Sequence, residues 1–252
     1  MKVIIPRNIF AGFAVYLFGN KVLENLETLP SSLISNALLK GEADVALIPS
    51  LDLLTHRDFF ISSKTGIAFD GELCVSYLYF VKGEKNITKL SLNGDVTTNE
   101  TFVAKLIFEE FYDTKIELSI DLGEPNLSKS NYLISGNKNF EEQYFQKGIS
   151  LAEQLSEFLD YPYFNFVYAS LSKEKLEEFN ALSENIDSQI EDSIDALLEN
   201  LKILNEAKSF IKKNLNSVYF EITQNEKDGL SKLLEYAYYK GMIDDIIELK
   251  WV

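Results

Sequence analysis

Apolar positions in this chain of 252 residues come as short solid runs and helical stripes that alternate through the first two thirds, and then as a helical period alone. The clearest unit is LPSSLISNALLKGEADVALIPSLDLL, residues 29–54. Leu33, Ala37 and Leu38 recur at helical spacing, Pro30 and Ser31 suit a first turn, and Gly41 follows the last one. Val45 to Ile48 then forms a run of the kind that a strand covered on both faces shows. Open α/β sheets hold ligands beyond the carboxyl ends of their strands, which here means Pro49 and Ser50.

The same alternation extends to both sides. Lys2 to Ile5 reads as a strand, Phe10 to Asn25 as helical, and Leu73 to Val81 as a long apolar segment, which is a βαβ grammar. It restarts with a strand at Lys89 to Leu92, a Thr-rich turn, a helix and a strand at Ile116 to Ile120. A strand at Tyr132 to Ser135, an amphipathic helix near Ile149 to Leu159 and a returning strand at Phe164 to Ser170 follow. From Ser172, Leu176, Phe179, Leu182, Ile186, Ile190, Ile194, Leu197, Leu201 and Leu204 step by three or four residues, as one long amphipathic helix or two in series. Glu174, Glu177, Glu178, Glu184, Asp187, Glu191, Asp192 and Glu199 occupy its other face, a solvated surface or, alternatively, an acidic partner surface. The closing segment reads as two short helices split at Gly241 whose apolar residues return to the first core. The expectation is a two-lobed α/β protein, residues 1–82 plus 171–252 in one lobe and 83–170 in the other, with two crossings and a ligand cleft between.

Charge and rare residues narrow the chemistry. A net charge of −15 without a basic cluster disfavours nucleic acid as a partner. Charges interrupt every apolar stretch before the ~20 residues of a membrane span, and MKVIIPRNIF lacks a long apolar signal region, so a cytoplasmic location is expected. The single cysteine, Cys74, sits among apolar neighbours as a core thiol, and a single histidine, His56, cannot build a histidine-rich metal site. His56, Arg57 and Asp58 read as a surface turn. Arg7 and Arg57 are the only arginines, so an anionic ligand would be held by lysines, backbone amides, hydroxyls or one of those two guanidinium groups.

Several segments in this order resemble the menaquinone-biosynthesis family that includes chorismate dehydratase. They are residues 29–54, GIAFDGELCVSYLYF at 66–80, YLISGNKNFEEQYFQKGISLAEQLSEFLDYPYFNFVYAS at 132–170, and FEITQNEKDGLSKLLEYAYYKG near the end. Gly41, Glu42, Asp44, Val45, Ala46, Leu47 and Ser50 match the family block most closely, and Pro162 falls in the matching place of the third segment. The resemblance implies a periplasmic-binding-protein-like fold and a cofactor-free lyase converting chorismate to 3-enolpyruvyloxybenzoate. It also implies Asn8 as the active-site asparagine, although the family's proline near it is missing and its Asp-Gly-Pro-Val-Gly-Ser loop is here Asp70 to Ser76. A non-catalytic binding protein of the same architecture, taking an anionic or aromatic metabolite, is the alternative.

Chorismate dehydration needs two carboxylates fixed, a hydroxyl polarised and a ring proton removed, which orientation and hydrogen bonding can supply without metal or cofactor. Candidate donors stand at strand ends. Arg7 and Asn8 follow the first strand, where an arginine could clamp a carboxylate or simply pair at the surface. Thr98, Asn99 and Thr101 open a helix, as an anion site or as a plain cap. Ser135 and Asn137 follow another strand, Ser50 ends the best-matched block, and Ser76 closes the altered loop. Tyr161, Tyr163, Phe164, Phe166 and Tyr168 alternate as core, and Asn165, polar among them, caps a buried turn or points into the cleft. A small-molecule carboxylate is the expected partner, and the sequence leaves the oligomeric state open.

Overall fold

The computed structural model describes residues 1–17, 24–142, 144–182 and 185–252. Among these, the strands form two sheets. The first contains β1 (Val3–Pro6), β2 (Leu26–Leu29), β3 (Val45–Pro49), β4 (Phe60–Phe69), β10 (Tyr163–Ser170), β11 (Val218–Glu221) and β12 (Lys250–Trp251), in the order β11-β4-β10-β3-β1-β2 with β12 also on β4. The second is β7-β6-β8-β5-β9, from β5 (Ser76–Tyr79), β6 (Lys89–Gly94), β7 (Glu117–Ile120), β8 (Tyr132–Ser135) and β9 (Ile149–Ser150). β1, β3 and β10 are buried along their whole length, which is why they read as continuous apolar runs.

The helices are α1 (Ile9–Leu17), α2 (Ser31–Leu39), α3 (Thr98–Tyr112), the single turn α4 (Lys138–Glu141), α5 (Leu151–Leu159), α6 (Lys173–Asn180), α7 (Ile186–Glu199), α8 (Asn205–Lys213) and α9 (Gln224–Tyr239). A 3₁₀ turn, Ser50–Leu54, continues β3. α2 buries Ile34, Ala37 and Leu38, while Leu33 points outward.

Pairing relocates two strands relative to the sequence expectation. β5 runs antiparallel to β8 and belongs to the second sheet, although it precedes residue 83. β10 lies between β3 and β4 in the first sheet, although it precedes residue 171. The chain therefore crosses between sheets just before β5 and again through α5.

Other expectations change as well. β4 replaces an unread segment, because its buried polar residues interrupt the apolar run: the Ser62 hydroxyl donates to Asn180 Oδ1 and the Thr65 hydroxyl to the Phe220 carbonyl. The helix expected over Phe10 to Asn25 ends its described part at Leu17, residues 18–23 lie outside the described set, and β2 begins at Leu26. The stripe from Ser172 is broken into α6 and α7, and Leu204 immediately precedes α8. Its acidic face is exposed at Glu174, Glu177, Glu178, Glu191, Asp192 and Glu199. Asp187 instead turns inward and accepts from the Phe220 and Glu221 amides at 2.7 and 3.2 Å, and Glu184 lies outside the described residues. After Gly241, at φ 72°, no second helix follows among the described residues, and the chain runs on to β12.

Candidate functional site

The strand ends and helix starts meet along one seam between the sheets. Asn99, fully buried near the start of α3, is its centre. Its Oδ1 accepts from the Leu51 amide at 2.9 Å, so a side chain of the second lobe caps the 3₁₀ turn of the first. Its Nδ2 donates to the Asn165 carbonyl at 2.8 Å and Asn165 Oδ1 at 2.9 Å, with Ser50 Oγ at 3.3 Å. Asn165 reaches this position through a bulge. Phe164 pairs with Ala68 and Phe166 with Ile67, so Asn165 is the extra residue of β10 and its side chain is re-aimed towards α3. Next to the bulge, Gly66 pairs with Val167, and a Cβ there would run into the Phe164 ring and the Phe166 carbonyl. Asn165 Nδ2 is buried and makes no hydrogen bond.

Two further caps cross the seam. Asn137 Oδ1 accepts from the Ile9 amide at 3.0 Å, at the start of α1, where Asn8 also caps through Oδ1 to the Ala11 amide at 2.8 Å. The Asp95 carboxylate takes the start of α2, accepting from the Ser31 amide at 2.9 and 3.1 Å and from the Ser31 hydroxyl at 2.5 Å. Gly94, at φ 88°, allows that reach, since a Cβ there would meet the Ser135 carbonyl. All three first-lobe N-termini at the seam are thus bonded to oxygens of the second lobe, where the dipole favours negative charge.

The third group is a buried carboxylate. Glu100 is the N3 residue of a capping box with Thr97: Oε2 accepts from the Thr97 amide at 2.8 Å and hydroxyl at 2.7 Å. Its Oε1 accepts from the Ser76 hydroxyl at 3.1 Å, and Ser135 Oγ lies 3.0 Å from Ser76 Oγ. Burial pushes the Glu100 carboxyl above its ordinary range, against the pull of those hydrogen bonds. Tyr163, buried beside Asn99, Glu100 and Cys74, is held well above the ordinary phenol range, again chiefly by burial.

The structure thus places the candidates at the seam in three groups, Asn8 with Asn137, Ser76 with Ser135, and Ser50 with Asn99 and Asn165, and leaves three candidates apart. Arg7 is exposed and donates through Nε and Nη2 to the Thr28 carbonyl at 3.4 Å, as a strand-end contact. Thr98 opens α3 and its carbonyl accepts from the Thr101 hydroxyl at 3.0 Å. Thr101 faces a surface groove with Lys105, Glu109 and Lys240. Sequence reasoning did not single out Asp95, and it read Ser31, Thr97 and Glu100 only as residues of helix-opening turns. The signal for the last pair was the Thr-x-x-Glu spacing at 97–100, one residue earlier than the cap considered above. His56 stacks on Phe59 at 5.1 Å and Arg57 pairs with Asp245 at 3.0 Å, as a surface turn would. Among the described residues no group of three or more His, Cys, Asp or Glu could hold a metal ion, and no helix is long and apolar enough to cross a membrane.

Neither a family model nor a curated protein matches this chain. Solved structures do. Protein AF1704 from Archaeoglobus fulgidus aligns over 96% of this chain and 98% of its own, with a TM-score of 0.59 at 17% identity. The Candida albicans CA3427 product, described as exhibiting the generic periplasmic binding protein fold, gives 0.63 at 11% identity over 97% and 91%. The periplasmic aliphatic sulphonate binding protein SsuA from Escherichia coli gives 0.62 at 9% identity over 99% and 90%. Two sheets, a seam lined by strand ends and this likeness define a periplasmic-binding-protein-like fold.

Proposed function

We propose that the chain is a small-molecule-binding protein that takes a compact metabolite, bearing a carboxylate or similar oxyanion, into the seam. The supporting observation is that three helix N-termini of the first lobe are capped across the seam, beside the uncharged Ser50, Asn99 and Asn137 at strand ends or helix starts and Asn165 at a bulge of β10. In this reading a ligand oxyanion takes over the Ser31 and Ile9 amides that Asp95 and Asn137 now hold, and the lobes part to admit it. The buried amide of Asn165 and the hydroxyls of Ser50 and Ser76 then read the ligand's polar edge.

A second reading, dehydration of chorismate, draws on the sequence blocks and on the position of Asn8 beside Asn137 at the seam. It ranks below simple binding because the seam's only charged partners named above are the carboxylates Asp95 and Glu100, while Arg7 is turned to Thr28. Two substrate carboxylates would meet repulsion there. Incubation with chorismate, followed by mass detection of product and by the melting temperature, separates the readings. Binding alone raises the melting temperature without new product. Product that disappears in Asn8→Ala supports the lyase. Neither effect, with chorismate or with simple aromatic carboxylates, removes both readings.

A further inference from the structure

Away from the seam, a bowl of about 400 Å³ opens between the edge of the second sheet and α8, lined by Glu72, Tyr77, Phe145, Gly148, Glu153 and Phe210 among others. Its wall is aromatic. Phe145 and Phe210 stack at 4.5 Å with an interplanar angle of 27°, and Phe140 continues the stack behind Phe145 at 5.8 Å. Its floor depends on a glycine: a Cβ at Gly148 would lie 2.8 Å from the Tyr79 ring and 2.9 Å from Tyr77 Cβ, so the backbone passes directly over the two tyrosines.

The polar part of the lining carries one sign of charge. Burial, with the Glu72 and Glu157 carboxylates nearby, raises the Glu153 carboxyl above its ordinary range, and among the described residues no lysine or arginine lines the bowl. Lys147, the nearest basic residue in sequence, lines a different depression beside Tyr79. Neither carboxylate takes part in an ion pair among the described residues.

Glu153 also departs from a rule this chain follows elsewhere. Thr97 with Glu100 and Thr223 with Glu226 form capping boxes in which the glutamate folds back onto the cap amide. Ser150 caps α5 in the same way, accepting from the Glu153 amide at 3.2 Å, but Ser150 is also paired with Tyr77 in β9, and the Glu153 side chain lines the bowl instead. Aromatic faces combined with carboxylates that have no cation of their own are complementary to a weakly hydrated organic cation.

We propose that this bowl binds a small organic ammonium ion, with the Phe210 ring, backed by Phe145, against its carbon-bound face and Glu72 and Glu153 balancing its charge. None of these lining residues is among those grouped at the seam.

The test is isothermal titration with tetramethylammonium chloride at constant ionic strength, made up with sodium chloride. The expected result is saturable binding at one site per chain, weakened at least fivefold in Glu153→Gln and in Phe210→Leu. Phe210→Leu keeps an apolar partner for Phe145, so an unchanged melting temperature certifies its fold. Lys147→Gln should leave the affinity within twofold. Heat that never saturates, or affinity equal in all variants, overturns the proposal, as does equally strong competition by sodium at matched concentration.

Discussion

Asn99→Ala is the sharpest perturbation of the seam. It removes the acceptor of the Leu51 amide and the donor to the Asn165 carbonyl, leaving two buried backbone groups without partners. Each such orphan costs about 1–3 kcal/mol, so the pair costs roughly 2–6 kcal/mol, a large share of the ~5–15 kcal/mol that folds a domain. At about 2–4 °C per kcal/mol for a chain of this size, the middle of that range corresponds to a fall of roughly 8–16 °C in melting temperature. Differential scanning calorimetry or urea unfolding reads it directly. Asn99→Asp refines the reasoning: it keeps Oδ1 for Leu51 but turns an oxygen onto the two Asn165 oxygens, so its loss should be at least as large and should deepen as pH rises. Arg7→Ala, which touches only an exposed carbonyl contact at 3.4 Å, should stay within about 0.5 kcal/mol of wild type. If Asn99→Ala falls by less than about 2 °C, water reaches these groups, the lobes stand open in solution, and the description of a self-capped seam is wrong.

Three further outcomes follow from the same structure. Burial raises the Asp187 carboxyl to about 6 from 3.8, so between those values the folded state holds a proton that the unfolded state has lost, and stability falls as pH rises through that window. Asp187→Asn, which keeps an acceptor for Phe220, should therefore gain on wild type from pH 4 to 6 and hold a constant advantage above, as urea midpoints would show. Gly94→Ala forces a Cβ into the Ser135 carbonyl at φ 88° and should lower stability by more than about 1 kcal/mol, with a soluble but earlier-melting protein as the readout. Asp95→Ala removes a carboxylate from the start of α2 and should cost about 0.5–2 kcal/mol, with faster hydrogen exchange at Ser31 and Leu33.

The parts of the fold visible in the sequence are those where burial leaves an unbroken signature. β3 and β10 are solid runs because both faces are covered, and α2 and α5 show a stop or a cap where they end or begin. β4 is hidden because Ser62 and Thr65 are satisfied by groups 118 and 155 residues away. β2 is an edge strand whose two leucines, Leu26 and Leu29, are separated by the exposed Glu27 and Thr28, so no apolar run marks it. At the site, polar residues at strand ends are legible because topology puts them near the seam. Their partners are not, since the Asn165 bulge and the reach of Asp95 to Ser31 depend on register between segments far apart in sequence. Arg7 misled for a related reason: it follows β1 on the ligand side, but its guanidinium finds the Thr28 carbonyl of the neighbouring strand.

The account rests on the seam being the place where a ligand enters. Hydrogen exchange of the Ile9, Ser31, Leu51 and Thr97 amides, with and without chorismate and a set of single-ring aromatic carboxylates, tests this most directly. The account predicts that at least one of these compounds changes exchange at Ile9 and Ser31 together, and that Asn99→Ala weakens that compound's binding. Unchanged exchange at all four amides for a compound shown by calorimetry to bind would contradict it.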